Sequence, residues 1–333
     1  MEYIQIDYKV NKPIYKQIIH SICYHIDNGD LKPGDCIPSV NQVISTFGIA
    51  RGSVFTAYNE LKASGIIKSV PGKGYFVSSV KTKLQYNVFL LFTTFSSYKE
   101  ILYNALINPL KGKCNVDIYF HHYNIKIFEQ LVVEYASQYN TFVIMPMVHK
   151  RVPEILSKLN SESLYFLDLG FKEYGSLFSG VYQNFANDIY RILKSKLHLI
   201  NKYRRLFLVR HEDFRSGEIL TGFNHFAEES PIETKVVTLE QLQNIRLHDA
   251  YITVEDTDLV SVIDVAKQKK WKMGKDIGIL SYNETALKSI ISDGISTIST
   301  DFNLMGKQMA DMILNREQKI IENKFTMVDR KSF

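Results

Sequence analysis

From Leu84 onward, short β-branched or aromatic runs alternate with amphipathic helical stretches, and this alternation constrains the chain more than any other feature. The runs YNVFLLF, VDIYF, TFVIMP, LYFLDLG, RLFLVR, AYITV and DIGILSY each read as a buried strand. Strands separated by helices predict parallel sheets with crossover helices, and seven of them over about 250 residues suit two Rossmann-like lobes. Residues 1–77 have a different texture, with helical periodicity over 13–64 and then a short hairpin pattern. A chain of 333 residues therefore divides into one small and one large unit. The expected boundaries are 1–77, a Ser- and Lys-rich linker over 78–84, and a two-lobed domain over 85–333. Lobe one is expected at about 85–183 plus 299–316, and lobe two at about 184–298 plus 317–333.

In the small unit, Pro13 opens a helix whose apolar face is Ile14, Ile18, Ile19, Ile22 and Ile26. Ser39 is placed to cap a second helix with Val43, Ile44 and Phe47 inside, and Gly48 makes the turn that follows. A third helix spans about Arg51 to Ser64, with Val54, Ala57, Tyr58 and Leu61 inward and Arg51, Ser53, Phe55 and Thr56 outward. Two short helices across a glycine turn make a helix-turn-helix, the second sized for a major groove. Strands on either side of Pro71-Gly72-Lys73 add a wing whose tip suits close approach to a phosphate.

The strings PIYKQIIHSICYHIDNGDLKPGDCIPSV and FGIARGSVFTAYNELKASGIIKSVPGKGYFV resemble the DNA-binding domain of the GntR family of bacterial transcription regulators. That resemblance implies double-stranded operator DNA as a partner. Arg51 would read a base edge, Gly52 and Ser53 would lie on the backbone, and Gly72 and Lys73 would carry the wing contact. Ser39, Asn41, Phe55 and Thr56 complete the expected DNA-facing set. Asn41 and Phe55 stand where many relatives carry Arg, so the operator sequence does not transfer. Residues 1–80 hold eight Lys and Arg against six Asp and Glu, a net charge of +2 within a total of +5. Weak non-specific binding and reliance on a homodimer follow from so small a surplus.

The large unit resembles the periplasmic-binding-protein-like sensor of the LacI type, most clearly in KMGKDIGILSYN, in ISTISTD and in Met305-Gly306. By that resemblance a small-molecule effector, a monosaccharide or derivative, binds in a crevice beyond the carboxyl ends of the strands. The candidates are residues just after strands: Phe95, Ser96 and Tyr98; Asp168; Gln183, Asn184 and Phe185; Arg215; Glu255 and Asp256; Tyr282 and Asn283. Aromatic faces with interleaved carboxylates and amides suit a polyhydroxylated ligand.

Enzymatic alternatives lack support, because neither a Gly-x-Ser-x-Gly elbow nor a Gly-x-x-x-x-Gly-Lys-Ser loop occurs. His121-His122 sits on an extended segment, where adjacent side chains diverge, so no metal and no other cofactor is expected. Three cysteines without a Cys-x-x-Cys pair fit a reducing compartment. Apolar runs far below the ~20 residues of a bilayer span complete the expectation of a cytoplasmic, membrane-free regulator.

Overall fold

The computed structural model describes residues 3–10, 12–80, 86–135, 138–169, 171–174, 179–210, 217–238, 240–241 and 245–333. The N-terminal segment runs α1 (Ile14–Asp27), β1 (Cys36–Ile37), α2 (Val40–Phe47), α3 (Arg51–Ala63), β2 (Ile67–Val70) and β3 (Gly74–Val77). Ile18, Ile22, Val43, Val54, Tyr58 and Leu61 form one core, so the inward faces expected from helical spacing are the buried ones. The Ser39 hydroxyl accepts from Gln42 N–H while the Gln42 side-chain oxygen accepts from Ser39 N–H, a reciprocal cap that fixes the start of α2. Gly48, at φ 63°, ends α2 in the left-handed region and turns the chain into α3. The wing pairs Val70 with Gly74, and β1, which hydrophobic patterning does not reveal, adds a third strand against β3.

The rest of the chain continues as β4 (Tyr86–Phe92), α4 (Ser97–Leu110), β5 (Cys114–Phe120), α5 (Ile125–Tyr135), β6 (Thr141–Ile144), α6 (Val152–Leu156), β7 (Leu164–Asp168), α7 (Phe171–Tyr174) and β8 (Ser179–Tyr182). Then follow α8 (Phe185–Ser195), α9 (Leu197–Ile200), β9 (Arg205–Val209), α10 (Gly217–Glu229), β10 (Glu233–Val237), β11 (Asp249–Thr253), α11 (Asp256–Gln268), β12 (Gly278–Tyr282) and β13 (Ser296–Thr300). Last come α12 (Phe302–Asn315), β14 (Ile320–Glu322) and β15 (Phe325–Val328). Two six-stranded sheets result, ordered β14-β8-β7-β6-β4-β5 and β10-β9-β11-β12-β13-β15. Strand pairs β4–β5, β4–β6, β6–β7, β9–β10, β9–β11, β11–β12 and β12–β13 are parallel, as helices between strands require. A helix-turn-helix head and an α/β domain built on parallel sheets are thus the architecture.

The chain forms two compact units: Met1–Phe95, Leu106–Gly180 and Met309–Ile320 in one, and Ser96–Ala105, Val181–Gln308 and Ile321–Phe333 in the other. The winged helix and the first sheet belong to the same unit. Among the described residues no helix is long and apolar enough to cross a membrane.

Candidate nucleic-acid interface and effector site

On the head, Arg51 opens α3 and is exposed, as are Gly52, Gly72, Lys73 and Asn41. The Arg51 guanidinium lies 5.1 Å from the centre of the Phe55 ring, one helical turn on. Phe55 is half-buried against the core, so where many relatives carry a second Arg this chain has a platform that steadies the first. Ser53 and Thr56 are half-buried on the same helix, and the Ser39 hydroxyl is committed to the cap of α2. Gly72, at φ 72°, shapes the wing tip and leaves Lys73 at its apex.

Within the first unit, Phe95 is 72% exposed and meets the edge of Phe120, while Asp168 is buried at the end of β7 with φ 71°. Arg215 lies outside the described residues. In the second unit, Tyr98 stacks on Phe302 with ring centres 4.6 Å apart, and Tyr282 is buried with its ring 5.5 Å from Phe325. Gln183 and Phe185 are buried at the start of α8, where Asn184 donates to Glu322 at 3.2 Å. Glu255 occupies the N-cap position of α11 without a side-chain capping bond and Asp256 is the first residue of the helix, both exposed.

Sequence reasoning missed Lys288. Its ammonium, 3% exposed, donates to the carbonyls of Tyr282 and Asn283 at 2.8 and 2.9 Å and pairs with Asp256 at 3.0 Å. It thereby brings Asp256 and Asn283 together and holds Asn283 at φ 65°. Arg210, directly after β9, lies nearer the strand end than the expected Arg215. The Oγ of Ser96, Nε of Arg210 and Oδ1 of Asn283 are buried with no hydrogen-bond partner among the described residues. Each such group costs roughly 1–3 kcal/mol, a penalty that a polar ligand or water would relieve.

Asp188 lines a cavity of about 460 Å³ with Arg191, Glu322 and Lys324. Burial, and then the charge of Glu322, push its carboxyl up to about 7, against the opposing pull of the Asn184 N–H and Arg191. Between pH ~4 and ~7 the folded chain holds a proton that the unfolded chain has released, so this group's contribution falls as pH rises. Asp188→Asn keeps an acceptor for Asn184 N–H and is expected to stabilise the protein by about 2 kcal/mol at pH 8, allowing for solvent screening, and by nothing near pH 4. Thermal unfolding across that range tests this; a gain independent of pH would contradict it.

His121 is buried, with Nε2 3.0 Å from the Met145 carbonyl and Nδ1 facing the Tyr123 N–H at 3.2 Å. Both nitrogens serve the main chain. No group of three or more potential metal ligands occurs among the described residues.

Residues 14–77 match the model of bacterial regulatory proteins of the gntR family, and residues 198–332 match that of the periplasmic binding protein-like domain. Over 81 residues the chain is 35% identical to the mannosyl-D-glycerate transport/metabolism system repressor MngR of Escherichia coli (strain K12), covering 24% of this chain and 33% of the relative. Over 82 residues it is 39% identical to the HTH-type transcriptional repressor YtrA of Bacillus subtilis (strain 168), covering 24% of this chain and 63% of the relative. The chain thus spans less than two thirds of either relative. The lactose repressor bound to the anti-inducer ONPF is similar in fold, with TM-score 0.61 and 14% identity over 74% of this chain and 99% of that one. The transcription regulator CcpA of Lactococcus lactis gives 0.57 and 15% over 74% and 99%. At these identities the likeness speaks for the fold. The chain carries a GntR-family helix-turn-helix domain at its N-terminus, followed by a periplasmic-binding-protein-like domain with the fold of LacI-type repressors.

Proposed function

We propose that this protein is a cytoplasmic transcription regulator, a repressor, that binds operator DNA as a homodimer and is controlled by a small sugar held in the periplasmic-binding-protein-like domain. The observation that carries the reading is the winged helix with Arg51 and Lys73 exposed, on the same chain as that domain. The buried Ser96, Arg210 and Asn283 atoms, without a partner among the described residues and lying in the segments that follow β4, β9 and β12, would supply the donor and acceptors a sugar satisfies. The residues expected to touch the sugar are Phe95, Ser96, Tyr98, Asp168, Gln183, Phe185, Arg215, Glu255, Asp256, Tyr282 and Asn283. Among them Tyr282 packs on Phe325 and Asp256 pairs with Lys288. The sugar favours one conformation of its domain, and that conformation lowers operator affinity by the difference in its binding free energy to the two states. The effector named for the E. coli relative does not transfer, since that match covers the head alone.

Calorimetric titration of a monosaccharide panel, with and without a duplex enriched by the protein from a random pool, tests both halves. The expected result is one sugar whose affinity drops about ten- to a hundredfold when DNA is bound. Equal affinity in both states would remove the allosteric claim.

A further inference from the structure

The winged helix and the first sheet share one compact unit, and polar side chains join them. The Glu162 carboxylate, in the loop before β7, accepts from the Tyr15 hydroxyl at 2.5 Å and the Lys16 ammonium at 2.7 Å, both in the first turn of α1. Gln318 donates to the Glu162 carbonyl at 2.8 Å and to the Tyr165 hydroxyl at 3.1 Å, tying that loop down. Arg316 lies 3.6 Å from Glu60 on α3 and donates to the Tyr86 hydroxyl at 3.2 Å. Asn140 donates to the Ser64 hydroxyl at the end of α3, at 3.0 Å, and Asn87 donates to the Ala63 carbonyl.

Any one exposed ion pair of this kind contributes little, because two long side chains must be ordered in water. Here two carboxylates and two cations share one network around a cavity of about 250 Å³, and the Glu60 side chain is only 15% exposed. Burial raises the Glu60 carboxyl above its usual range and Arg316 opposes that rise. Such a group needs its partner, so the network acts jointly.

The joined surface is the first turn of α1 and the C-terminal half of α3. Arg51 and Gly52 at the other end of α3, and Gly72 and Lys73 on the wing, stay exposed. The contact therefore orients the DNA-facing residues and does not cover them. Arg316 and Gln318 also sit on Met309–Ile320, the stretch that continues into the second unit at Ile321.

We infer that Glu162 and Arg316 form a polar mount that clasps the winged helix to the first sheet in one orientation, and that this fixed orientation sets DNA affinity. The inference rests on the DNA-binding reading above. A mounted head has already lost the rotational freedom that a tethered one must give up on binding, and the mount stands where the second unit can act on it through residues 316–320.

The test uses the full chain with Lys16→Glu, Glu162→Lys and the double reversal, measured for affinity to the duplex enriched by the wild type and for hydrogen exchange over residues 14–18 and 60–64. Each single reversal is expected to weaken binding about tenfold and to speed exchange at both segments, and the double reversal to recover most of both. Single variants that bind as tightly as wild type, or more tightly, overturn the inference. So does a double variant no better than Lys16→Glu alone, which would make Lys16 a phosphate contact. Unchanged exchange with duplex binding intact sinks the mount alone. A wild-type chain that enriches no duplex sinks the DNA-binding reading and control by the mount with it.

Discussion

Arg51→Ala is expected to reduce affinity for the enriched duplex about ten- to a hundredfold per head while leaving binding to unrelated DNA nearly unchanged. A bidentate guanidinium contact to a base edge is worth ~1–3 kcal/mol of discrimination, and it is lost from every head engaged. The head's net charge of +2 gives bulk electrostatics little to compensate with. Phe55 sharpens the case, because its ring lies under the guanidinium at 5.1 Å and limits the conformations Arg51 must give up on binding. Lys73→Ala, by contrast, should weaken binding alike for all sequences and lower the salt slope by about one. Fluorescence anisotropy at two salt concentrations separates the effects. Unaltered duplex affinity in Arg51→Ala would remove α3 as the recognition helix.

Arg205→Ala is expected to cost about 3–5 kcal/mol of stability, a fall of roughly 10 °C in melting temperature. Arg205 donates twice to Asp249, from Nε at 2.9 Å and from a terminal nitrogen at 2.5 Å, across the paired starts of β9 and β11. The Asp249 side chain is only 2% exposed, so removing the guanidinium strands a carboxylate where water cannot reach it. Tyr251 alone, bonded at 3.3 Å, cannot replace a charged partner. Asp249→Asn in the same background should return much of the loss, because the buried charge goes with it. Chemical denaturation monitored by circular dichroism measures both; a loss below about 1 kcal/mol would show that solvent reaches Asp249.

The head was legible almost residue by residue. Its inward positions at helical spacing, the Ser39 cap, the Gly48 turn and the wing are local features, and each recurs in the structure. The seven apolar runs after Leu84 likewise became strands, most of them buried on both faces and so leaving an uninterrupted apolar trace; β5, expected to be buried, lies at the edge of its sheet and is only half-buried. β8, β10, β13, β14 and β15 were not among the runs read as strands. β10 and β15 are edge strands, β10 carrying Glu233 and Lys235, and β14 has three residues, too few to set a period.

The rule that ligand groups follow strands selects candidates, but not what each side chain does in the fold. Tyr282 and Asp256 fit the rule equally well in sequence, yet one packs on Phe325 and the other pairs with Lys288. The sequence by itself determined the two domain types, the helix-turn-helix and the succession of seven strands along the chain, because those depend on periodicity and caps within a few residues. Only the tertiary structure decided the partners. Tyr15 meets Glu162 across 147 positions and Arg316 meets Tyr86 across 230. No local pattern encodes such pairs: they exist because the fold brings segments far apart in the chain together, where a charge's fate is set by its neighbours.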